Sequence, residues 1–223
     1  IMSKKMILAG ASGLVGGHIL NILDDGNSEL TLLLRNKLQE KKHLKQIVTD
    51  FDNFNQLNEK DEINEVYIAI GKKLSIFDLI YLKKEKRKDF KKVDFDYIKN
   101  IAIYAKKLGA KSIGLISAIG ANDKSRNVYL NTKERIEKEI IAMGFEKVVI
   151  ARPSHLLGKR KNEQISFLIS VFENITNVLG YLMIGPLKKY RNVHASNVAT
   201  SLVSKMNNAD SGIHILDFNN FKN

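Results

Sequence analysis

Three glycines, each three residues after the last, follow the first apolar run of the chain. The run covers residues 6–9, the glycines are Gly10, Gly13 and Gly16, and helical periodicity extends over residues 14–23. Gly10 permits a tight turn, Gly13 lets a pyrophosphate approach the backbone, and Gly16 lets the helix pack closely on the strand. The turn predicts a dinucleotide site at a helix N-terminus, formed by Gly10, Ser12, Gly13, Leu14, Val15 and Gly16.

Short apolar runs then alternate with longer amphipathic segments along most of the chain. Such alternation is typical of parallel strands joined by right-handed helical crossovers, with helices on both faces of the sheet. We therefore predict an α/β fold with a Rossmann-type doubly wound parallel sheet. The predicted strands cover residues 6–9, 30–34, 46–49, 65–70, 112–116 and 147–151, and the predicted helices cover residues 14–23, 90–108 and 127–143.

The alternation of short apolar runs and amphipathic segments changes after Pro153. Helices over residues 167–178 and 196–206 and strands over residues 192–194 and 212–218 are predicted there. This tail is too short for a separate core. We expect a single domain, with an NAD(P)-binding core over residues 1–160 and a C-terminal part, residues 161–223, that completes the sheet and caps the substrate site.

The end of the second predicted strand determines which dinucleotide fits. Leu34-Arg35 is followed by Asn36-Lys37, and no acidic residue is present to bind a ribose 2′-hydroxyl. An arginine at this place accommodates a 2′-phosphate. The sequence therefore predicts NADP(H) in preference to NAD(H), with Arg35 as an ordinary surface residue the open alternative.

Two further strand ends are expected to contact the adenosine. Asp50 follows the third strand and can accept a hydrogen bond from the adenine amine, while Phe51 can pack against the ring. Ala69, Ile70 and Gly71 end the fourth strand, where the glycine leaves room for the ribose. These five residues are predicted from their position at the sheet edge alone.

A serine, a tyrosine and a lysine follow in the fifth strand–helix unit. Ser117 ends the strand, and Tyr129 and Lys133 lie four residues apart on the next helix, so they share one face. A nearby ammonium favours the phenolate, which lets the tyrosine exchange a proton, and the serine can donate to a substrate oxygen. We predict that this set interconverts a small carbonyl and its alcohol; a packed tyrosine beside a snorkelling lysine is the alternative.

These motifs resemble the short-chain dehydrogenase/reductase superfamily, in its atypical branch with Gly-x-x-Gly-x-x-Gly, and more narrowly the family of the Tat-interacting protein of 30 kilodaltons and its bacterial relatives. The resemblance implies a Rossmann fold and NADP(H) contacts at the glycine turn, Arg35 and Lys133. It also implies that Pro153 and Ser154 border the nicotinamide. The matching segments are residues 10–16, 34–35, 70–71, 93–94, 116–121, 129–133 and 151–158.

Some members of this branch sense nucleotides or bind partner proteins. A catalytically silent NADP(H)-sensing regulatory or protein-interaction module is therefore the alternative function, with the basic residues 83–92 and the tail as partner surfaces. Lys72 and Lys73 depart from the family pattern, which has small hydroxyl residues there. These lysines can add a phosphate contact or crowd the pocket.

The formal net charge of +12 raises the prospect of an anionic partner. The charge is scattered, which favours lysine-rich solvated faces over a nucleic-acid site. The five histidines lack metal-binding spacing, and no apolar stretch could span a bilayer. We expect a small-molecule substrate, no metal and no membrane, with a protein partner as the alternative. Nucleic-acid binding is a third interpretation that rests on charge alone and is not favoured. The chain is expected to be a monomer or a homodimer. The absence of cysteine fits a reducing compartment, and we predict a cytoplasmic location.

Overall fold

Seven parallel strands form one sheet in the computed structural model. The structure describes residues 3–52, 54, 61–158 and 190–221, apart from the side chains of Ile76 and Ile80. The strands of the described chain are β1 (Lys5–Ala9), β2 (Glu29–Leu34), β3 (Lys45–Val48), β4 (Glu65–Ile68), β5 (Ser112–Ile116), β6 (Lys147–Ala151), β7 (Leu156–Leu157), β8 (Val193–His194) and β9 (Gly212–Leu216). The order across the sheet is β3-β2-β1-β4-β5-β6-β9, and β7 pairs with β8 separately. The Rossmann-type parallel sheet predicted from the sequence is confirmed.

Helices cover both faces of this sheet. The helices of the described residues are α1 (Leu14–Leu23), α2 (Ile76–Ile80), α3 (Lys84–Lys91), α4 (Ile98–Lys107), α5 (Val128–Ala142) and α6 (Ala195–Asn208). On one face, α1 and α6 bury Ile19 and Leu202. On the other face, α4 and α5 bury Ile101 and Ile136. Each such aliphatic side chain stabilises the fold by about 1.5–3 kcal/mol when it is removed from water.

Several predicted boundaries differ from the observed ones. The fourth strand ends at Ile68 rather than at residue 70, because the chain leaves the ladder where it passes Gly10. The helix predicted over residues 90–108 begins earlier, at Lys84, and contains a π turn over Lys92–Tyr97 between α3 and α4. Lysine, glutamate and arginine are good helix formers, but α3 buries only Phe90, so the apolar pattern missed its start. The helix predicted over residues 167–178 lies outside the described residues.

The strand register gathers the predicted site residues at one edge of the sheet. Ala9 pairs with Leu33 of β2 and with Ile68 of β4, so the glycine turn lies between the ends of these strands. Ile116 of β5 pairs with Ala151 of β6. In a parallel sheet with this strand order, ligands bind beyond the carboxyl ends of the strands.

Candidate functional site

The glycine turn between β1 and α1 has no room for side chains at two of its glycines. Gly10 has a φ of +96°, and a Cβ atom there would lie 2.6 Å from the carbonyl carbon and oxygen of Ala69. A Cβ atom at Gly16 would lie 2.0 Å from the carbonyl oxygen of Gly10. The turn therefore packs directly on the chain after β4 and on the first turns of α1.

The start of α1 can present backbone N–H groups to an anion. Gly13 precedes the helix without a side-chain cap, and the first turn contains no acidic residue. The first N–H groups of a helix lack partners within it and carry the positive end of the helix dipole. Ser12 is exposed, Leu14 is half-buried and Val15 is buried. A phosphate at this turn would thus bind mainly backbone groups.

Arg35 lies beside the glycine turn at the end of β2. Because Ala9 pairs with Leu33, the residues after β2 emerge at the same edge as Gly10. The side chains of Arg35 and Lys37 are both exposed. A 2′-phosphate could therefore reach Arg35 without displacing packed side chains, and this contact stays a prediction.

Asp50 and Phe51 follow β3, but only one of their side chains is exposed. Asp50 is exposed, and its Oδ1 accepts a hydrogen bond from the backbone N–H of Asp52 at 3.0 Å. The Phe51 ring is 3% exposed and packs against Tyr97 at 5.7 Å and Phe54 at 6.2 Å between ring centroids. The predicted packing of this ring on adenine is therefore corrected, because the ring belongs to an aromatic cluster of the core.

The chain after β4 connects the glycine turn to a buried carboxylate. The backbone nitrogen of Ile70 would lie 2.9 Å from a Cβ atom at Gly10. Gly71 follows, and a Cβ atom there would lie 3.3 Å from Oδ1 of Asp94. The backbone N–H of Lys72 donates to Oδ2 of Asp94 at 2.7 Å. Asp94 therefore fixes the main chain next to the predicted ribose position.

Lys133 projects from α5 onto the same carboxylate. Its Nζ lies 2.8 Å from Oδ1 of Asp94, and the two side chains are 6% and 2% exposed. Burial alone would lower the pKa of Lys133, but the charge and the hydrogen bond of the Asp94 carboxylate outweigh burial and raise that pKa above its ordinary value. Lys133 is thus a charged group held inside the protein.

Tyr129 lies one helical turn before Lys133. The Lys133 Nζ is 5.9 Å from the centroid of the Tyr129 ring. The centroids of the Phe90 and Tyr129 rings are 5.7 Å apart. Burial raises the pKa of Tyr129 above its ordinary value, and the Lys133 ammonium, which lowers it, offsets only part of this rise. The phenol therefore holds its proton at neutral pH, whereas the sequence suggested that the ammonium would promote the phenolate.

The Ser117 hydroxyl points to a glutamate of α5. Ser117 Oγ donates to Oε1 of Glu137, which is 1% exposed. Arg152 Nε donates to the other oxygen of Glu137 at 3.0 Å, and Arg152 Nη2 donates to Glu134 at 3.1 Å. Ser117 thus belongs to a largely buried ionic network at the ends of β5 and β6. Its donation to a substrate oxygen stays a prediction.

Pro153 and Ser154 lie in the loop after β6, at the same edge. The Pro153 carbonyl accepts from the N–H of Ile119 at 2.9 Å, and Ser154 Oγ donates to the carbonyl of Arg191. These bonds tie the loop after β6 to the loop after β5 and to the chain before β8. The nicotinamide contacts predicted for both residues stay predictions.

Sequence reasoning assigned no role to two buried acids of this site, Asp94 and Glu137. Glu137 comes four residues after Lys133 and eight after Tyr129, so helical periodicity could have placed it on their face. Asp94 lies between Val93 and Phe95 in a predicted helix. The available signals for it were an acid among apolar helix positions and the match of residues 93–94 to the family pattern.

The charged side chains of the described residues do not form a recognisable metal site. Within the described residues, no three histidine, aspartate or glutamate side chains come together as a metal ion would require. Among the basic residues 83–92, Lys86 pairs with Asp78 and Lys92 pairs with Asp52, each at 2.8 Å. No helix in the described parts of the chain has the length and apolar character needed to cross a bilayer.

Known proteins resemble this chain in sequence and in fold. A family model described as NAD(P)H-binding matches residues 10–170. The "Protein FMP52, mitochondrial" of Candida albicans is 32% identical over 163 residues, which are 69% of this chain and 68% of the relative. The structure of MoeE5 in complex with UDP-glucose and NAD has a TM-score of 0.70 at 16% identity, covering 95% of this chain and 75% of that one. A short chain dehydrogenase family protein from Francisella tularensis has a TM-score of 0.66 at 14% identity, covering 98% of this chain and 99% of that one.

The names of the yeast relatives correct one prediction. Proteins with this name from several yeasts are called mitochondrial, which contradicts the cytoplasmic location predicted from the sequence. The prediction rested on the absence of cysteine. A cysteine-free chain fits any reducing compartment, so this feature could not select the cytoplasm.

Proposed function

The chain belongs to the NAD(P)H-binding family, and from this premise we propose that it is an NADP(H)-dependent oxidoreductase acting on a small carbonyl or alcohol. Family membership and fold confirm the resemblance to the short-chain dehydrogenase/reductase superfamily. One observation supports the proposed activity: a continuous series of contacts leads from Gly10 through residues 69–72 and Asp94 to Lys133 and Tyr129. This series of contacts supports the assignment of the glycine turn and the Tyr129–Lys133 pair to one site.

The residues present fit a dinucleotide. A Cβ atom at Gly13 would lie 3.1 Å from the carbonyl oxygen of Gly10, so the turn packs closely here, and the helix that follows starts without a side-chain cap or an acidic residue to compete with a phosphate. The exposed Arg35 side chain adds positive charge at the neighbouring strand end. We assign the pyrophosphate to the turn, the 2′-phosphate to Arg35, the adenine to Asp50, and the nicotinamide ribose to Lys133.

The chain's own residues would handle the proton of the reaction. The bound nicotinamide supplies or accepts a hydride at the substrate carbon. The Tyr129 phenol carries a proton at neutral pH and would donate it to a carbonyl oxygen as the general acid, although burial, which raises its pKa, makes it a weaker acid than a free phenol. The Lys133 ammonium, 5.9 Å from the ring centroid, stabilises the negative charge that develops on the phenol oxygen. In the oxidation the base would be the phenolate, which is the minor form at neutral pH because burial raises the pKa of Tyr129.

Replacing Tyr129 with phenylalanine tests this role. The change removes the proton but keeps the ring that packs against Phe90, so we expect kcat to fall about 10²- to 10⁴-fold. The measurement is steady-state NADPH consumption over a panel of aldehydes, ketones and quinones, and an unchanged Kd for NADPH is the internal control. Equal rates for wild type and variant on every compound would remove Tyr129 from the mechanism.

Replacing Arg35 with alanine tests the cofactor preference. We expect the Kd for NADPH to rise about 10- to 100-fold, the usual contribution of hydrogen bonds to a charged group. The Kd for NADH should stay unchanged, because NADH lacks the phosphate that Arg35 would bind. Calorimetric titration of both cofactors gives the ratio. An unchanged ratio between the two affinities would make Arg35 an ordinary surface residue.

A second candidate function is an NADP(H) sensor without chemistry. The observation that favours it is the Ser117 hydroxyl, which donates to Glu137 and is thereby occupied within the ionic network. A sensor would bind NADPH tightly and capture a partner protein only when the nucleotide is present. Pull-down with and without NADPH separates this function from the first, since an enzyme alone gives no nucleotide-dependent partner.

A further inference from the structure

We propose that Asp94 is the positioning residue for Lys133: its carboxylate holds the buried ammonium toward the nicotinamide ribose and fixes the adjoining backbone. This inference rests on the proposed function, because it assigns the ribose to Lys133. Asp94 is not expected to touch substrate or to exchange a proton with it. It would act through Lys133 and through the main chain after Gly71.

The first support is the burial of the pair. Asp94 and Lys133 are almost completely removed from water, and their charged atoms are 2.8 Å apart. A buried charge without a partner is strongly unfavourable, so each side chain requires the other. A π turn, rather than regular helix, presents Asp94 at this place, and such turns are frequent at functional sites.

The second support is the different use of the two carboxylate oxygens. Oδ1 binds the Lys133 ammonium, while Oδ2 accepts the backbone N–H of Lys72 at 2.7 Å. Gly71 adjoins Oδ1 so closely that a Cβ atom there would be 3.3 Å away. One carboxylate therefore sets the position of α5 relative to the backbone that passes Gly10. A purely structural ion pair would not need to join these two parts of a nucleotide site.

The third support is the donor count of the lysine. An ammonium has three N–H donors, and Asp94 engages one of them, which leaves donors for a ribose diol. The titratable groups that act on this ammonium are Asp94 from the π turn, and Tyr129 and Glu137 from α5. Glu137 is itself paired with Arg152 at the end of β6. Asp94 is thus the carboxylate in direct contact with Lys133.

Removal of the Asp94 charge should make cofactor binding sensitive to pH. In Asp94→Asn, burial of Lys133 would no longer be offset, so the pKa of Lys133 should fall and its ammonium should lose a proton as the pH rises. We expect NADPH binding by this variant to weaken about tenfold near neutral pH and to weaken further at alkaline pH. In the wild type, where Asp94 raises the pKa of Lys133, binding should remain constant over the same interval.

The test is a double-mutant cycle on the full chain, with the Kd for NADPH measured by fluorescence titration at neutral and alkaline pH. The variants are Asp94→Asn, Lys133→Met and the double variant. Asparagine keeps an oxygen that can accept from the Lys72 N–H, so the change removes the charge that acts on Lys133, and Asp94→Asn should cause no additional loss in the Lys133→Met background. The matched control is Asp24→Asn, which breaks a partly buried aspartate–lysine pair with Lys41 at the far end of α1 and should leave the Kd unchanged.

The outcomes separate this inference from the function on which it rests. A wild type that does not bind NADPH contradicts the proposed function itself. If the wild type binds NADPH, two results would overturn the positioning role alone. One is an Asp94→Asn variant with the same NADPH affinity as wild type. The other is a variant that loses the same affinity with and without Lys133 and whose binding does not depend on pH. If Asp94→Asn does not fold, ¹⁵N NMR of the Lys133 side chain in wild type replaces it, with Lys133→Arg for assignment. A signal that NADPH leaves unmoved would contradict the assignment of Lys133 to the ribose, whereas a signal that NADPH moves but that titrates below the ordinary pKa of lysine would overturn the positioning role.

Discussion

Gly16→Ala is expected to abolish measurable NADPH binding and to lower the free energy of unfolding by on the order of 3 kcal/mol. The added Cβ atom would lie 2.0 Å from the carbonyl oxygen of Gly10, and the clash is with backbone rather than with a movable side chain. Helix α1 must therefore move away from the glycine turn. The N–H groups at its start would then no longer face the position assigned to the pyrophosphate.

Gly17→Ala is the matched control for this experiment. The same substitution one residue later places a Cβ atom 3.6 Å from the carbonyl oxygen of Ala11, an ordinary contact distance. Because alanine is a better helix former than glycine, this variant should be as stable as wild type or more so. Urea unfolding and NADPH titration of both variants give the comparison. A Gly16→Ala variant that binds NADPH as well as Gly17→Ala does would contradict the assigned role of the turn.

Lys133→Met is expected to lower the free energy of unfolding by about 3–5 kcal/mol, because it leaves the Asp94 carboxylate buried without its cation. The same change should remove turnover and weaken NADPH binding. Lys138 offers the matched comparison on the same helix, since it pairs with Asp123 while 56% of its side chain is exposed. Lys138→Met should therefore cost less than about 1 kcal/mol.

Denaturant unfolding of the two lysine variants at neutral pH measures this difference. Equal stability losses would mean that the Lys133–Asp94 pair is no more important than a surface ion pair. Equal NADPH affinities of Lys133→Met and wild type would leave the stability argument intact but remove Lys133 from the cofactor site.

The glycine turn could be predicted from sequence because its requirements are local. Gly10 needs a positive φ, and Gly16 must lack a Cβ atom because the backbone of Gly10, earlier in the same turn, lies against it. The parallel sheet could also be predicted, since alternating apolar runs and helices admit few other folds. The strand order then brings Arg35 and Gly71 to one edge without any information on side-chain contacts.

The partners of the other site residues could not be predicted because they depend on distant parts of the chain. Phe51 looked available for an adenine, but Tyr97, far along the sequence, buries its ring. Ser117 looked available for a substrate, but its hydroxyl meets Glu137 of the next helix. Asp94 reaches Lys133 through a π turn, and no helical periodicity predicts an irregular turn of this kind.

A crystal structure of the chain with NADP⁺ bound tests the central claim most directly, namely that the glycine turn and the Tyr129–Lys133 pair form one cofactor site. We predict that the pyrophosphate contacts the backbone N–H groups at the start of α1, and that Lys133 Nζ binds the nicotinamide ribose while retaining Asp94. A cofactor bound elsewhere, or one whose nicotinamide ribose makes no contact with Lys133, would contradict the account.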